Sequence, residues 1–322
     1  MIHRLKNKLK LLCLLRKGLV YFCIFILSQS CDKKEGSFLT ELAFENLVVI
    51  ASGNGSNRSV SIYDLNGNLI KVMGDFRTTG GTPRGVVYIG DQTFLVAQDN
   101  ADKIDYLGFN KSKSAFHGSN YYSGTIYDLV KDSRGNIYST ETNRIEKFSP
   151  EGNRLPLSTG NSFIHSAIGA CSISNARELF MTDDDMLIVA SYSGGRIVVY
   201  DVSTDTPTCV TSVSVGTTVY GVLLHSNGSL YFTRWSNDSI YRANPDGSGA
   251  SIIWSSNTGV LNNPASLAEM PDGSILVGGY SNHTVERIDE DGNRIGNIPF
   301  IADGQTLSIA DIIILEEDEE WY

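Results

Sequence analysis

No stretch of the 322-residue chain is apolar for long enough to span a bilayer. The run at residues 19–27 (LVYFCIFIL) is nine long, against the roughly 20 that a spanning helix needs. Gly-x-Ser-x-Gly does not occur, nor does a phosphate-cradling glycine loop or a dinucleotide fingerprint. These absences argue against nucleophile-elbow hydrolases and the common nucleotide-binding enzymes. The five histidines (His3, His117, His165, His225 and His283) keep no metal-ligand spacing, and Asp183-Asp184-Asp185 lacks the spacing of a calcium loop. Basic residues are few, 26 against 36 acidic ones. Six of the 26 lie in residues 1–30, so the remainder carries 20 against 36, a net charge of −16. Such a surface repels phosphate backbones and anionic headgroups, which argues against nucleic acid as a partner and against direct docking on anionic lipid. Cysteine is also scarce, five residues in all.

What the first 30 residues do contain is informative. Arg4, Lys6, Lys8, Lys10, Arg16 and Lys17 stand there without a single acid, followed by the short apolar run. That order is the positive and apolar halves of a signal peptide. Residues 27–31, Leu-Ser-Gln-Ser-Cys, resemble a bacterial lipobox, with the leucine four residues before the cysteine instead of three. The resemblance implies a lipoprotein signal peptide over 1–30, cleavage before Cys31 and lipidation of that thiol. The protein would then sit in the bacterial cell envelope, facing the periplasm or the exterior, its lipid anchor the sole membrane contact. An ordinary signal peptide with Cys31 incidental is the alternative. Residues 31–43, beginning with the charged stretch DKKEGS, read as a tether. Residues 44–315 read as the folded domain and 316–322 as an acidic tail.

Within 44–315 one unit recurs. Residues 265–294 (ASLAEMPDGSILVGGYSNHTVERIDEDGNR) read as three strands joined by tight turns at Asp272-Gly273 and a polar loop at 280–283, closed by Asp291-Gly292. Residues 219–247 and 126–152 repeat it, and 85–109 and 177–201 are looser copies. The first-turn glycines Gly90, Gly135, Gly228 and Gly273 are spaced 45, 93 and 45 apart. A period near 45 with several strands per unit indicates a β-propeller.

The repeat also resembles that of NHL proteins. Pro83-Arg84-Gly85-Val86 matches its start, Gly135-Asn136-Ile137-Tyr138 and Asn143-Arg144-Ile145-Glu146-Lys147-Phe148 its middle, and Glu151-Gly152 its end. The likeness covers most of the chain after about residue 44. It implies a propeller and leaves function open, since such propellers are scaffolds, sensors and enzymes.

Five innermost strands fall at about 85–89, 126–130, 177–181, 220–224 and 266–270. The first unit lacks one, and 308–314 (SIADIII) is left over at the end. The expected fold is therefore all-β: a six-bladed propeller of four-stranded antiparallel blades, closed by the C-terminal strand joining the first blade. A monomer is expected. Once the leader is removed, Cys171 and Cys209 are the one pair besides Cys31. They would be distant in a regular blade, so a disulfide requires 157–175 to fold over; two buried thiols are the alternative.

Loops between blades and between second and third strands share one face, and it holds the longer ones. Its aromatic residues mixed with Asn and Ser suit a protein, peptide or glycan partner in the envelope. Phe76, Arg77, Tyr121, Tyr122, Tyr192, Trp235, Trp254 and Tyr280 are the candidate ligand-binding residues. Packing between blades is the competing role for each.

Aligning the innermost strands gives a column: Gly85, Asp128, Glu178, Gly221, Ser266 and Asp311. NHL-type repeats commonly carry glycine there, so Asp128, Glu178 and Asp311 depart from the pattern. Facing the channel, the three carboxylates suit calcium or another divalent cation; a polar lining, or pairing with Arg84 and Arg177, is the alternative. Six-bladed SMP-30/gluconolactonase-like enzymes hold such a cation, but no residue of theirs can be matched here. Two functions follow as expectations. The first is a membrane-anchored binding scaffold acting through the loop-rich face. The second is a metal-dependent lactonase or hydrolase, or a lyase of the streptogramin-inactivating type, at the channel mouth. No catalytic residue is assigned.

Overall fold

The computed structural model describes residues 46–54, 57–76, 81–99, 101–108, 114–117, 125–157, 162–255, 260–296, 299–304 and 308–316. They lie in one compact unit, Phe44–Tyr322. Six antiparallel sheets surround an axis. Their innermost strands are Ile309–Leu315, Thr82–Tyr88, Leu129–Lys131, Ala176–Met181, Val219–Leu224 and Pro264–Glu269, for blades one to six. Each packs beside the next and the sixth beside the first, so the ring is closed. Among the described residues five sheets have four strands and the sixth has three, with single bridges at Val285–Ile301 and Ile288–Arg294 where a fourth would run.

The C-terminal strand closes the first blade as expected. Ile309–Leu315 pairs antiparallel with Leu47–Asn54, with Leu315 opposite Leu47 and Ile312 opposite Ile50. The turn glycines explain the period. Gly90, Gly135, Gly228 and Gly273 all have φ between 79° and 92°, a conformation that costs glycine nothing and strains other residues. The fourth blade puts Asp185 there, at φ 61°.

The core is a set of seams between blades. Leu95, Ile104 and Phe116 of the second blade pack on Ile126, Ile137 and Phe148 of the third. The seams of blades three and four, four and five, five and six, and six and one are built alike. Second strands such as Ile137–Glu141 and Ile275–Gly279 are buried along their whole length, as strands covered on both faces must be.

Cys171 and Cys209 form a disulfide, their Cα atoms 5.5 Å apart. The insertion folds back as a small hairpin (Ala167–Ile168 with Cys171–Ser172) against Thr208–Ser214, the outermost strand of the fourth blade.

Candidate functional site

The innermost strands share an irregularity. Register slips between Pro83 and Val86, between Ala176 and Leu179, and between Val219 and Val222. Similar bulges interrupt the sixth and first blades. A bulge re-aims side chains and takes backbone amides out of the ladder, and those amides need other acceptors. In the third blade Thr140 Oγ1 accepts from Tyr127 N at 3.0 Å and Asp128 N at 2.9 Å, which is why the strand proper begins only at Leu129. In the fifth, Thr233 Oγ1 accepts from Gly221 N at 2.7 Å.

The column residues supply acceptors to the neighbouring blade. Asp311 accepts from Val86 N at 2.7 Å, Asp128 from Leu179 N at 2.6 Å and from its neighbour Leu129 N at 2.7 Å, and Glu178 from Val222 N at 2.5 Å. Ser266 Oγ accepts from Ile312 N at 3.1 Å and donates to Asp311 at 3.3 Å. The two glycines of the column sit where no side chain fits. A Cβ on Gly85 would stand 2.5 Å from Asp128 Cα, and one on Gly221 2.7 Å from the Ala265 carbonyl.

All three carboxylates are buried and border a cavity of about 390 Å³ on the axis. Burial, then the charge of Asp311, pushes the Asp128 carboxyl well up. Burial, then Asp128 and Asp311, does the same to Glu178, and burial brings Asp311 to about 6. Among the described residues no group of three or more His, Cys, Asp or Glu side chains is placed to hold a metal ion. The column oxygens already accept amides, whereas calcium takes six to eight oxygens freed for it. Arg84 and Arg177 do not pair with these carboxylates either; they point to a different part of the axis.

Arg84, Tyr127, Arg177 and Tyr220 each stand one residue before the column. They meet Tyr192, Trp235 and Tyr280 from the loops between second and third strands. The Arg177 guanidinium carbon lies 3.6 Å from the Tyr127 ring centre, 4.8 Å from that of Tyr192 and 5.3 Å from that of Tyr220. Tyr220 stacks on Trp235 at 4.6 Å, and Trp235 meets Tyr280 at 4.9 Å. Tyr280 accepts from Arg84 Nη1 at 2.9 Å, and Arg84 is 5.2 Å from its ring centre. Five blades thus contribute to one arc on the loop-rich side.

The two arginines differ electrically. Arg84 is ion-paired with Asp99 at 2.9 Å. Burial opposes its charge, but Tyr220, Tyr280 and Asp99 outweigh that, and its pKa is raised. For Arg177 burial prevails: the hydroxyls of Tyr220 and Tyr192 help, the Arg84 charge adds to the penalty, and the pKa is lowered.

Of the residues proposed from sequence, Tyr192, Trp235 and Tyr280 are brought together. Phe76 is fully buried, and Trp254 is 8% exposed at the end of the outermost strand Ser251–Trp254, packed among Leu223, Leu261 and Leu267. Trp254 fills the seam of the fifth and sixth blades, on a strand that runs further than its turn signals indicate, and Phe76 directly follows the outermost strand Leu69–Asp75 of the first blade. Cys31, Arg77, Tyr121 and Tyr122 lie outside the described residues. Sequence reading missed Tyr127 and Tyr220 and gave Arg84 and Arg177 another role; the column shifted by one position would have exposed all four. The four described histidines stay off the arc: His117 and His165 lie on outermost strands, His225 sits in a tight turn, and His283 Nδ1 accepts from Ser308 N at 2.8 Å.

No protein-family model matches the chain, and no curated protein matches it. Solved structures do. A nidogen/laminin complex aligns at TM-score 0.65 and 11% identity, over 84% of this chain and 99% of that one. A protein of unknown function from Bacteroides caccae aligns at 0.59 and 11%, with the same coverage. A streptogramin B lyase aligns at 0.52 and 17%, over 79% and 74%. At such identities the likeness is one of fold, shared between binding proteins and lyases alike.

Proposed function

We propose that the chain is a cell-envelope lipoprotein, anchored through Cys31, whose NHL-like propeller is a binding scaffold that captures its ligand at the axial mouth of the loop-rich face. The observation that carries this reading is the arc Tyr127–Arg177–Tyr220–Trp235–Tyr280–Arg84, built from five blades. Rigid aromatic rings held by a closed scaffold offer contact area at low entropic cost. The basic leader and the Leu-Ser-Gln-Ser-Cys segment support the anchor. Full-length protein in detergent, applied to glycan and peptide arrays, should lose its ligands in the Trp235→Ala/Tyr280→Ala double variant. Equal signals from variant and wild type would count against the site. Incorporation of a clickable fatty acid, abolished by Cys31→Ser, tests the anchor.

The likeness to a streptogramin B lyase favours a second reading, in which the same mouth is the seat of a lyase. Turnover of a streptogramin B by the purified protein would establish it.

A further inference from the structure

Arg177 carries an unspent charge. Its guanidinium carbon sits over the Tyr127 ring and within 5.3 Å of the ring centres of Tyr192 and Tyr220. Stacking occupies the faces of the plane and leaves the N–H fork along its edge. Tyr220 takes one of those donors. Arg177 Nε is buried with no hydrogen-bond partner, and no carboxylate forms an ion pair with Arg177 among the described residues. The internal segments outside the description (55–56, 77–80, 100, 109–113, 118–124, 158–161, 256–259, 297–298 and 305–307) contain no Asp or Glu. Among the described residues, then, no acidic side chain is paired with this guanidinium, while Arg84 beside it has Asp99. Buried donors without acceptors are rare enough to require a cause.

We propose that Arg177 is an anion receptor at the axial mouth, taking the carboxylate of a ring-bearing acid, either an aromatic acid or a uronic acid, whose ring lies against Trp235 and Tyr280. The assignment rests on the binding reading above and names its ligand class. Guanidinium and carboxylate match in shape and charge, and the partly dry surroundings strengthen the contact. The aromatic walls discriminate by shape, and the tyrosine hydroxyls remain as donors to a sugar or a second carboxylate oxygen.

The test uses full-length protein in detergent at low salt, titrated by tryptophan fluorescence with Trp235→Ala as the blank. The probes are two matched pairs, benzoate with benzamide and glucuronate with glucose. Each acid should bind more tightly than its neutral partner by about tenfold or more, the worth of one charge-assisted hydrogen bond. The tighter acid identifies the source. Arg177→Gln should abolish the preference, and Arg177→Lys should keep part of it. Equal affinity for acid and neutral partner in the wild type, or a preference that survives Arg177→Gln, overturns the anion assignment while leaving a neutral-ligand scaffold standing. No response to any probe overturns the ligand class, and the array comparison then decides the binding reading separately.

Discussion

The Asp128 carboxylate accepts the backbone N–H of Leu179 at 2.6 Å, so a side chain of the third blade holds the innermost strand of the fourth. Glu178 repeats the contact on Val222 and Asp311 on Val86, and Ser266 makes the same contact with Ile312. The departures from glycine in the column are therefore latches between blades. A carboxyl group suits the task because, ionised or protonated, it keeps an oxygen that accepts, and because that oxygen reaches an amide that the bulge has taken out of the ladder.

Asp128→Ala should accordingly destabilise the propeller by about 2–6 kcal/mol, since two buried amides lose their acceptor at roughly 1–3 kcal/mol each. Urea unfolding of variant and wild type measures it. Calcium and a chelator should leave the melting temperature of the wild type unchanged. A calcium-dependent rise of several degrees would instead assign Asp128, Glu178 and Asp311 as cation ligands.

The disulfide spans 38 residues and fastens the inserted hairpin to the outermost strand of the fourth blade. Cross-linking a loop of that length restricts the unfolded chain by about 4 kcal/mol on the chain-entropy account. Reduction, or a Cys171→Ser/Cys209→Ser variant, should lower the unfolding free energy by a matching amount and the urea midpoint with it, with the aromatic arc unaffected because it lies on other strands. An unchanged midpoint under reductant would refute this.

The fold was legible because turn chemistry is local: a glycine with φ near 80° recurs at Gly135, Gly228 and Gly273 whatever the blades bury. The candidate site was half legible for the same reason. Trp235 and Tyr280 sit in loops, where function is sought, and reading loops found them. Arg177 and Tyr220 sit in innermost strands, where residues are taken for packing. Only the bulge sends them to the mouth, and a slip of register leaves no mark in the alternation of a single sequence. Phe76 and Trp254 went the other way, because the chain at or just past the end of an outer strand resembles a loop. The disulfide was open to sequence reading only as a condition, that the insertion fold over, because a single chain does not reveal which way an insertion turns.

Stability should fall as pH rises through the range where Asp311 titrates. Its carboxyl ionises near 6 in the folded protein against an ordinary 3.8. Between those values the unfolded chain has lost the proton and the folded one has kept it, so unfolding is favoured as pH increases. The contribution is fully present below about pH 4 and lost above about pH 6, about 3 kcal/mol for a shift of some two units. Asp128 and Glu178 act in the same direction. His117 opposes them, since burial lowers its pKa from 6.5 and protonation on acidification disfavours the fold. Comparing wild type with Asp311→Asn cancels His117. The variant should gain on the wild type between about pH 4 and 7, and a difference flat across that range would rule the linkage out.

Asp99 sets the charge of the mouth. It holds Arg84 through Nη2 at 2.9 Å and Nε at 3.3 Å, cancelling one of the two guanidinium charges beside the aromatic rings. Asp99→Asn keeps an oxygen for Arg84 but removes that cancellation, so the mouth gains one positive charge. Arg84 and Arg177 already repel each other, and a carboxylate placed between them would relieve the repulsion as well as meet the unspent donors of Arg177. Benzoate should therefore bind Asp99→Asn several-fold more tightly than wild type, roughly the 1 kcal/mol expected of an added charge in a partly solvated site. The gain should shrink at high salt, where the added charge is screened over about 3 Å at 1 M. Benzamide should not distinguish the two proteins. A gain shared equally by benzoate and benzamide would mean that the variant had merely loosened the site, and would separate a change of shape from a change of charge.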